Sequence, residues 1–287
     1  MQHYQNLVRV NGHDMNVFIT GNGTKTIVFL AGAMVTSPIL EYKPLWEKLT
    51  ADFRVVILEK AGYGYSQGNT GAPRDVKNMT DESRQALEKA GIQPPYCLAP
   101  HSYSGLEAVY WASQYPAEVE CILGLDMVTP PFALKQDAEI PAEKKTRMAY
   151  AQSQTLARMQ GSKFRQKLYS ALFFKKSALW KSGCLNDAER EEYKRLFFGN
   201  VCHSEMIAEQ AKSTQNARDA ADADLSGIPA LLFISDMNAR LKHASWKEEN
   251  TAYAKQMGWQ VRDAKSHQLY ADQPDEIAAA WRKFTGI

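Results

Sequence analysis

Several things are scarce in this chain of 287 residues, and each absence narrows what it can be. No apolar run approaches the length that a bilayer-spanning helix needs, so no membrane span is expected. The first ten residues are polar and lack the apolar stretch of a secretory signal. Cysteine occurs four times, as Cys97, Cys121, Cys184 and Cys202, without the paired spacing of a zinc or redox motif. Cys97 and Cys121 stand in apolar runs and read as small buried hydrophobes; Cys184 and Cys202 read as packing or exposed residues. His3, His13, His203 and His243 show no ligand spacing, so no metal site is expected. An excess of one charge is also missing, since 34 Lys and Arg stand against 32 Asp and Glu. That balance calls for neither nucleic acid nor a membrane surface as partner. A cytoplasmic, reducing setting is the expectation. Internal repeats and low-complexity tracts are absent.

What is present is the patterning of a folded α/β protein. Residues 7–10 and 15–19 read as strands joined by a turn at Asn11-Gly12. Short continuous apolar runs follow at 26–30, 53–58, 97–99, 121–125 and 230–234, each consistent with a strand buried on both faces. A last strand is expected near 259–262. Between them lie helical patterns. Val76, Met79, Ser83, Leu87 and Ala90 keep helical spacing and Gly91 follows as a stop. A helix beginning with Leu106, Val109 and Tyr110 should end before Pro116. Pro274 opens a terminal helix with Ile277, Trp281 and Phe284 on its inner face. Strands alternating with helices predict a mainly parallel sheet with helices on both faces. The alternation breaks at residues 130–227, which read as all helical and rich in Lys, Arg and aromatics. This segment is expected to be a helical cap inserted in a core formed by 1–129 and 228–287. Its basic residues, such as Lys144, Lys145, Lys163 and Arg165, are read as a solvated face, and some of its aromatics as the lining of a pocket.

The strongest chemical signal is Pro100-His101-Ser102-Tyr103-Ser104-Gly105, lying between a buried strand and a helix. So tight a junction forces its central residue into a strained conformation and lifts the side chain clear of the sheet. The helix start then directs free N–H groups at the same place. A second signal is Ser266-His267-Gln268, which follows the final strand and precedes the last helix. A serine hydroxyl becomes a useful nucleophile when an imidazole takes its proton, and imidazole ordinarily titrates near neutrality. The bland alternative for Ser102 or Ser104 is a helix cap.

Together these segments resemble the α/β-hydrolase superfamily. The junction is similar to its nucleophile elbow, Gly-x-Ser-x-Gly, with Pro100 and Ser104 in place of the glycines. The Ser266 segment resembles its histidine loop. Phe29-Leu30-Ala31-Gly32-Ala33-Met34 stands where the family has a His-Gly turn, with Ala31 at the usual histidine. Glu59-Lys60-Ala61-Gly62-Tyr63-Gly64-Tyr65-Ser66 resembles a structural Gly-x-Gly turn, and Gly227-Ile228-Pro229 fits the return from the cap. The resemblance implies Ser102 as nucleophile, His267 as base, and the backbone N–H groups of Ala33 and Tyr103 as oxyanion donors. The acid is less clear. Asn238 falls at the usual acid position, Asp236 lies two residues before it, and Asp126 ends the strand preceding the cap, where some members carry the acid. Asp126 is preferred over Asp236; its competing reading is a turn cap.

The resemblance implies a serine hydrolase that cleaves an ester or related acyl bond through an acyl-enzyme, without a cofactor. A serine at the elbow speaks against haloalkane dehalogenase and epoxide hydrolase chemistry, whose enzymes use Asp there. The alternatives are a non-catalytic ligand-binding protein of the same fold and a cofactor-free C–C hydrolase or acyltransferase with the same triad. The cap sequence does not specify the substrate.

Overall fold

The structure is a computed structural model that describes residues 2–140, 144, 147–148, 151, 154–155, 158–237 and 245–287. Lys145, Asn238 and His243 lie outside the described residues. Strands β1 (Leu7–Val10) and β2 (His13–Thr20) form the expected hairpin, with Val10 opposite His13. Asn11 and Gly12 take φ of 47° and 86°, the left-handed pair that a two-residue turn needs to match strand twist. The remaining strands are β3 (Lys25–Leu30), β4 (Phe53–Glu59), β5 (Tyr96–Pro100), β6 (Val119–Leu125), β7 (Ala230–Ser235) and β8 (Gln260–Ala264). They form one eight-stranded sheet in the order β1-β2-β4-β3-β5-β6-β7-β8. The pairs β1/β2 and β2/β4 are antiparallel, and every pair from β4 through β8 is parallel.

The apolar runs build a core layer on each face of this sheet. Ile27 and Phe29 of β3, with Val55 and Ile57 of β4, join the layer that also holds Ile277 and Trp281 of the terminal helix Pro274–Thr285. Val28, Leu30, Val56 and Leu58 point the other way. They join Leu106, Val109 and Trp111 of the helix Ser104–Gln114 and Met79 and Leu87 of the helix Val76–Lys89. The period-2 alternation of side chains thus feeds two cores from a single run of apolar residues. Asp75 caps the helix Val76–Lys89 by accepting from the Asn78 N–H at 3.0 Å.

Between β6 and β7 the described residues contain helices and no strand. The main helices are Pro130–Glu139, Lys163–Leu172, Asp187–Asn200, Ser204–Ala211 and Ser213–Asp219. Phe174, Tyr193 and Phe198 from this segment are buried in the same apolar layer as Tyr42 and Tyr270, while Lys163, Arg165 and Lys167 are exposed. No helix among the described residues is long and apolar enough to cross a membrane.

Trp281 is fully buried, with its ring centroid 5.9 Å from that of Phe29. Trp281→Ala should therefore lower the free energy of unfolding by about 3–5 kcal/mol in denaturant titration.

Candidate active site

The parallel strands β5, β6 and β7 end on the same edge of the sheet, where the sequence candidates gather. Beyond β5, His101 forms a bridge to Leu125, and Ser102 follows at φ 54°. A left-handed conformation costs a non-glycine residue about 1–2 kcal/mol, so the surroundings must hold it. The Ser102 N–H donates to the Leu125 carbonyl at 3.3 Å. The Ser102 carbonyl accepts from Val128 N–H at 2.8 Å and Gly105 N–H at 3.0 Å. Ser104 also takes part: its hydroxyl donates to the Leu30 carbonyl at 2.7 Å and accepts from the His101 N–H at 2.9 Å. Where the sequence suggested only a small neighbour, the structure shows a side chain that ties the helix start to β3.

Two other glycines make the close approach possible. A Cβ on Gly32 would lie 2.7 Å from the His101 carbonyl oxygen and 2.8 Å from Ser102 Cβ. A Cβ on Gly105 would lie 2.2 Å from the Val128 carbonyl oxygen. The space at this bend is thus kept by Gly32 on the facing loop and Gly105 in the helix.

Asp126 ends β6 in a second left-handed kink, at φ 47°, and is fully buried. Its Oδ1 accepts from the Ser235 N–H at 2.7 Å and from Trp246 Nε1 at 2.8 Å. Its Oδ2 accepts from the Ser235 hydroxyl at 2.5 Å and lies 2.7 Å from His267 Nδ1. The carboxylate accepts only, so Nδ1 carries the proton of this contact and Nε2 is left as the acceptor of a neutral ring. Asp236, the other candidate, is exposed just beyond β7. His267 meets Asp126.

His267 is also fixed from the other side. His101 Nε2 lies 2.9 Å from the His267 carbonyl oxygen and donates to it. The His101 and His267 ring centroids are 4.6 Å apart, and Trp246 meets His267 edge-on at 5.6 Å. Neither Ala33 N–H nor Tyr103 N–H donates to an acceptor among the described residues. Both residues line one narrow cavity with Met79, Leu106 and Glu209. N–H groups left without an acceptor are what an oxyanion site requires. Glu209 of helix Ser204–Ala211 is held by Lys60 Nζ at 2.6 Å and the Tyr63 hydroxyl at 2.8 Å.

Sequence reasoning missed Ser235 and Trp246 as partners of Asp126. Ser235 had a weak signal, as the polar residue that ends a buried strand; Trp246 had none.

The chain matches the family model described as alpha/beta hydrolase fold over residues 26–268. It belongs to the alpha/beta-hydrolase family. The Bacillus subtilis protein YbdG is 30% identical over 277 residues, which cover 94% of this chain and 82% of YbdG. A Bacillus megaterium epoxide hydrolase, solved with an inhibitor, superposes with a TM-score of 0.67 at 16% identity, covering 98% of this chain and 100% of that one. A loop variant of the haloalkane dehalogenase DbeA from Bradyrhizobium elkanii gives 0.65 at 18% identity, covering 98% and 95%. At such identities the two structures share the fold.

Burial, and then the adjacent His267, lower the His101 pKa from 6.5 to about 3. An unfolded chain binds that proton near pH 6.5, whereas the folded chain excludes it until about pH 3. The folded state binds fewer protons across this window, so the His101 contribution to stability is lost as pH falls through it. Glu41 and Glu59, raised from 4.5 to about 7 by burial, act in the opposite direction between those values. The His101 share is therefore isolated by substitution. His101→Asn should flatten the fall in melting temperature between about pH 6.5 and 4; wild-type and variant curves of equal slope would remove His101 from the account.

Proposed function

We propose that the protein is a serine hydrolase that cleaves an ester or related acyl bond of a small molecule. Ser102 is the nucleophile, His267 the base and Asp126 the acid. The observation that carries this reading is the buried Asp126 carboxylate 2.7 Å from His267 Nδ1, at the strand edge where Ser102 is held at φ 54°. With Nδ1–H donated to Asp126, Nε2 is the nitrogen that takes the Ser102 proton as the hydroxyl attacks the carbonyl carbon. The resulting imidazolium is stabilised by Asp126. The tetrahedral oxygen is received by the N–H groups of Ala33 and Tyr103, each with no acceptor among the described residues. The imidazolium then gives its proton to the leaving oxygen, the C–O bond breaks, and an acyl-Ser102 ester remains. Water, deprotonated by Nε2, attacks the ester carbon; the bond from that carbon to Ser102 Oγ then breaks, the imidazolium returns its proton to Oγ, and the carboxylic acid leaves. The His267 side chain keeps 23% of its surface exposed, which admits that water. Proton transfer and charge stabilisation suffice for every step, and no cofactor is invoked.

Residues 130–227 serve in this reading as a helical cap inserted between 1–129 and 228–287. Support comes from Glu209, which enters the lining of the cavity at Ala33 and Tyr103, and from aromatics of the segment that share a layer with Met34 and Tyr270. Epoxide hydrolase and haloalkane dehalogenase, named for two structural neighbours, open their reactions with a carboxylate. The neutral hydroxyl at Ser102 favours an acyl centre.

A fluorophosphonate probe should add to Ser102, seen as one mass increment by intact mass spectrometry and absent in Ser102→Ala. Turnover of short nitrophenyl esters should vanish in the same variant; full activity without Ser102 would refute the proposal. Asp126→Asn should reduce kcat by about 10⁴, by analogy with the acid of the serine proteases. Asp236→Asn should stay within about twofold of wild type, as surface substitutions usually do. The reverse outcome would transfer the acid to Asp236.

A further inference from the structure

Large apolar side chains are exposed at seven of the described positions. Leu7 and Ile287 lie near the chain ends. The other five, Met148, Phe164, Leu168, Leu172 and Phe173, fall within one stretch of 26 residues. Phe164 is 76% exposed, Leu168 49% and Leu172 48%. These three share one side of the helix Lys163–Leu172, within an arc of about 80° at 3.6 residues per turn. Lys167 projects about 60° to one side of the stripe and Arg165 about 20° beyond its other edge. The opposite side is engaged: Gln166 Nε2 donates to the Met159 carbonyl at 2.9 Å, and Tyr169 packs 5.3 Å from Phe197. Ser162 caps the helix by accepting from the Arg165 N–H. The stripe is therefore the outer face of an anchored helix, exposed among the described residues.

Charge indicates what covers it. Residues 144–181 contain ten of the 34 Lys and Arg and none of the 32 Asp and Glu, so the other residues of the chain carry a formal −8. Lys163, Arg165, Lys167, Lys175 and Lys176 are all exposed around the stripe. A second copy docking by the same face would set two strongly cationic surfaces against each other. An apolar stripe between basic flanks on a convex helix is instead matched by a bilayer surface, which offers hydrocarbon beneath a plane of phosphates.

We infer that the helix Lys163–Leu172 docks the protein on anionic lipid membranes, with Phe164, Leu168 and Leu172 entering the acyl boundary and the flanking Lys and Arg contacting lipid phosphates. This reverses the expectation, drawn from the near-neutral total charge, that no membrane is engaged. It does not depend on the hydrolase reading.

The test is flotation of the full chain with phosphatidylcholine vesicles, with and without about one-third phosphatidylglycerol. The expected result is at least about tenfold stronger partitioning to the anionic vesicles, weakened between about 0.1 M and 1 M salt. The triple variant Phe164→Ser, Leu168→Ser, Leu172→Ser should lose binding while keeping its circular dichroism and melting temperature. The single variant Phe164→Ser, at the most exposed of the three, should lose part of the binding. Lys163→Gln, Arg165→Gln, Lys167→Gln should lose the preference for anionic lipid. The inference is overturned by absence of binding to anionic vesicles at low salt, or by undiminished binding of both apolar variants. It is equally overturned if the full chain forms a dimer in sedimentation velocity that the apolar substitutions abolish while vesicles bind neither protein.

Discussion

A single buried carboxylate, that of Asp126, fixes the geometry at the edge of the sheet where β5, β6 and β7 end. Asp126 has no solvent exposure, and a charge so placed costs several kcal/mol unless donors replace its water. Here both oxygens are doubly satisfied, by the Ser235 N–H and hydroxyl, Trp246 Nε1–H and His267 Nδ1–H. The donors come from the end of β7, the start of the helix Trp246–Gln256 and the loop after β8. Three segments more than a hundred residues beyond Asp126 in sequence are thereby drawn to one point. The Asp126 N–H donates to the Phe233 carbonyl at 2.8 Å, which continues the β6/β7 ladder into the site. Ser102 joins the same frame, because its N–H and carbonyl bond to residues on either side of Asp126, Leu125 and Val128. Strain at Ser102 and strain at Asp126 are thus held by one set of hydrogen bonds, and the imidazole is oriented by the same carboxylate.

How much of this was legible in the sequence follows from the range of each interaction. The strands were readable because a parallel sheet covered on both faces demands continuous apolar runs, and 26–30, 53–58 and 230–234 are such runs. The elbow was readable from Ser102 and its neighbours, since a strand-turn-helix junction is a local event. The bends at Gly32 and Gly105 were visible as glycines, but their purpose was not: each makes room for backbone distant in sequence or across a loop. The choice between Asp126 and Asp236 could not be made locally. Both are acids one residue or so beyond a buried strand, and only the position of His267 after folding separates them. Trp246 as a donor to Asp126 was beyond reach, because an indole at a helix start ordinarily signals packing.

The seating of the helical segment was less readable still, for it is largely polar. Lys60 and Tyr63 hold Glu209; Lys43 binds Glu189; Asn216 accepts from the Val76 N–H at 3.0 Å. Asn200 Nδ2 donates to the carbonyls of Thr36 and Gly64, at 3.2 and 2.9 Å. Lys60, Glu189, Glu209 and Asn216 are all buried. Hydrophobic periodicity predicts which face of a helix turns inward, yet it is blind to ion pairs formed between elements more than a hundred residues apart. Such pairs add little net stability over apolar packing, but removing one partner strands a buried charge. They therefore specify a single seat for each helix more strictly than greasy contact does. The loop 59–66, with Gly62 and Gly64 in the left-handed region, is the floor on which several of these seats converge.

The distribution of charge makes the two faces of the segment unequal. Toward the core it presents Glu189, Glu205 and Glu209, all buried against Lys43, the Thr70 N–H and Lys60 respectively. Residues 144–181 carry only positive charge, and Lys163, Arg165, Lys167, Lys175 and Lys176 among them are exposed. A near-zero total therefore conceals a local charge asymmetry, ten Lys and Arg with no Asp or Glu over residues 144–181. Phe164, Leu168 and Leu172 ride on the same ten-residue helix as Tyr169, which packs among Phe174, Phe197 and Phe198. A helix of that length moves as a unit. Any surface that grips its outer stripe acts directly on the aromatic layer beneath, and that layer is continuous with Tyr42 and Tyr270 beside His101. The packing thus runs without a break from the outer stripe, through Tyr169 and its aromatic neighbours, to the rings beside His101.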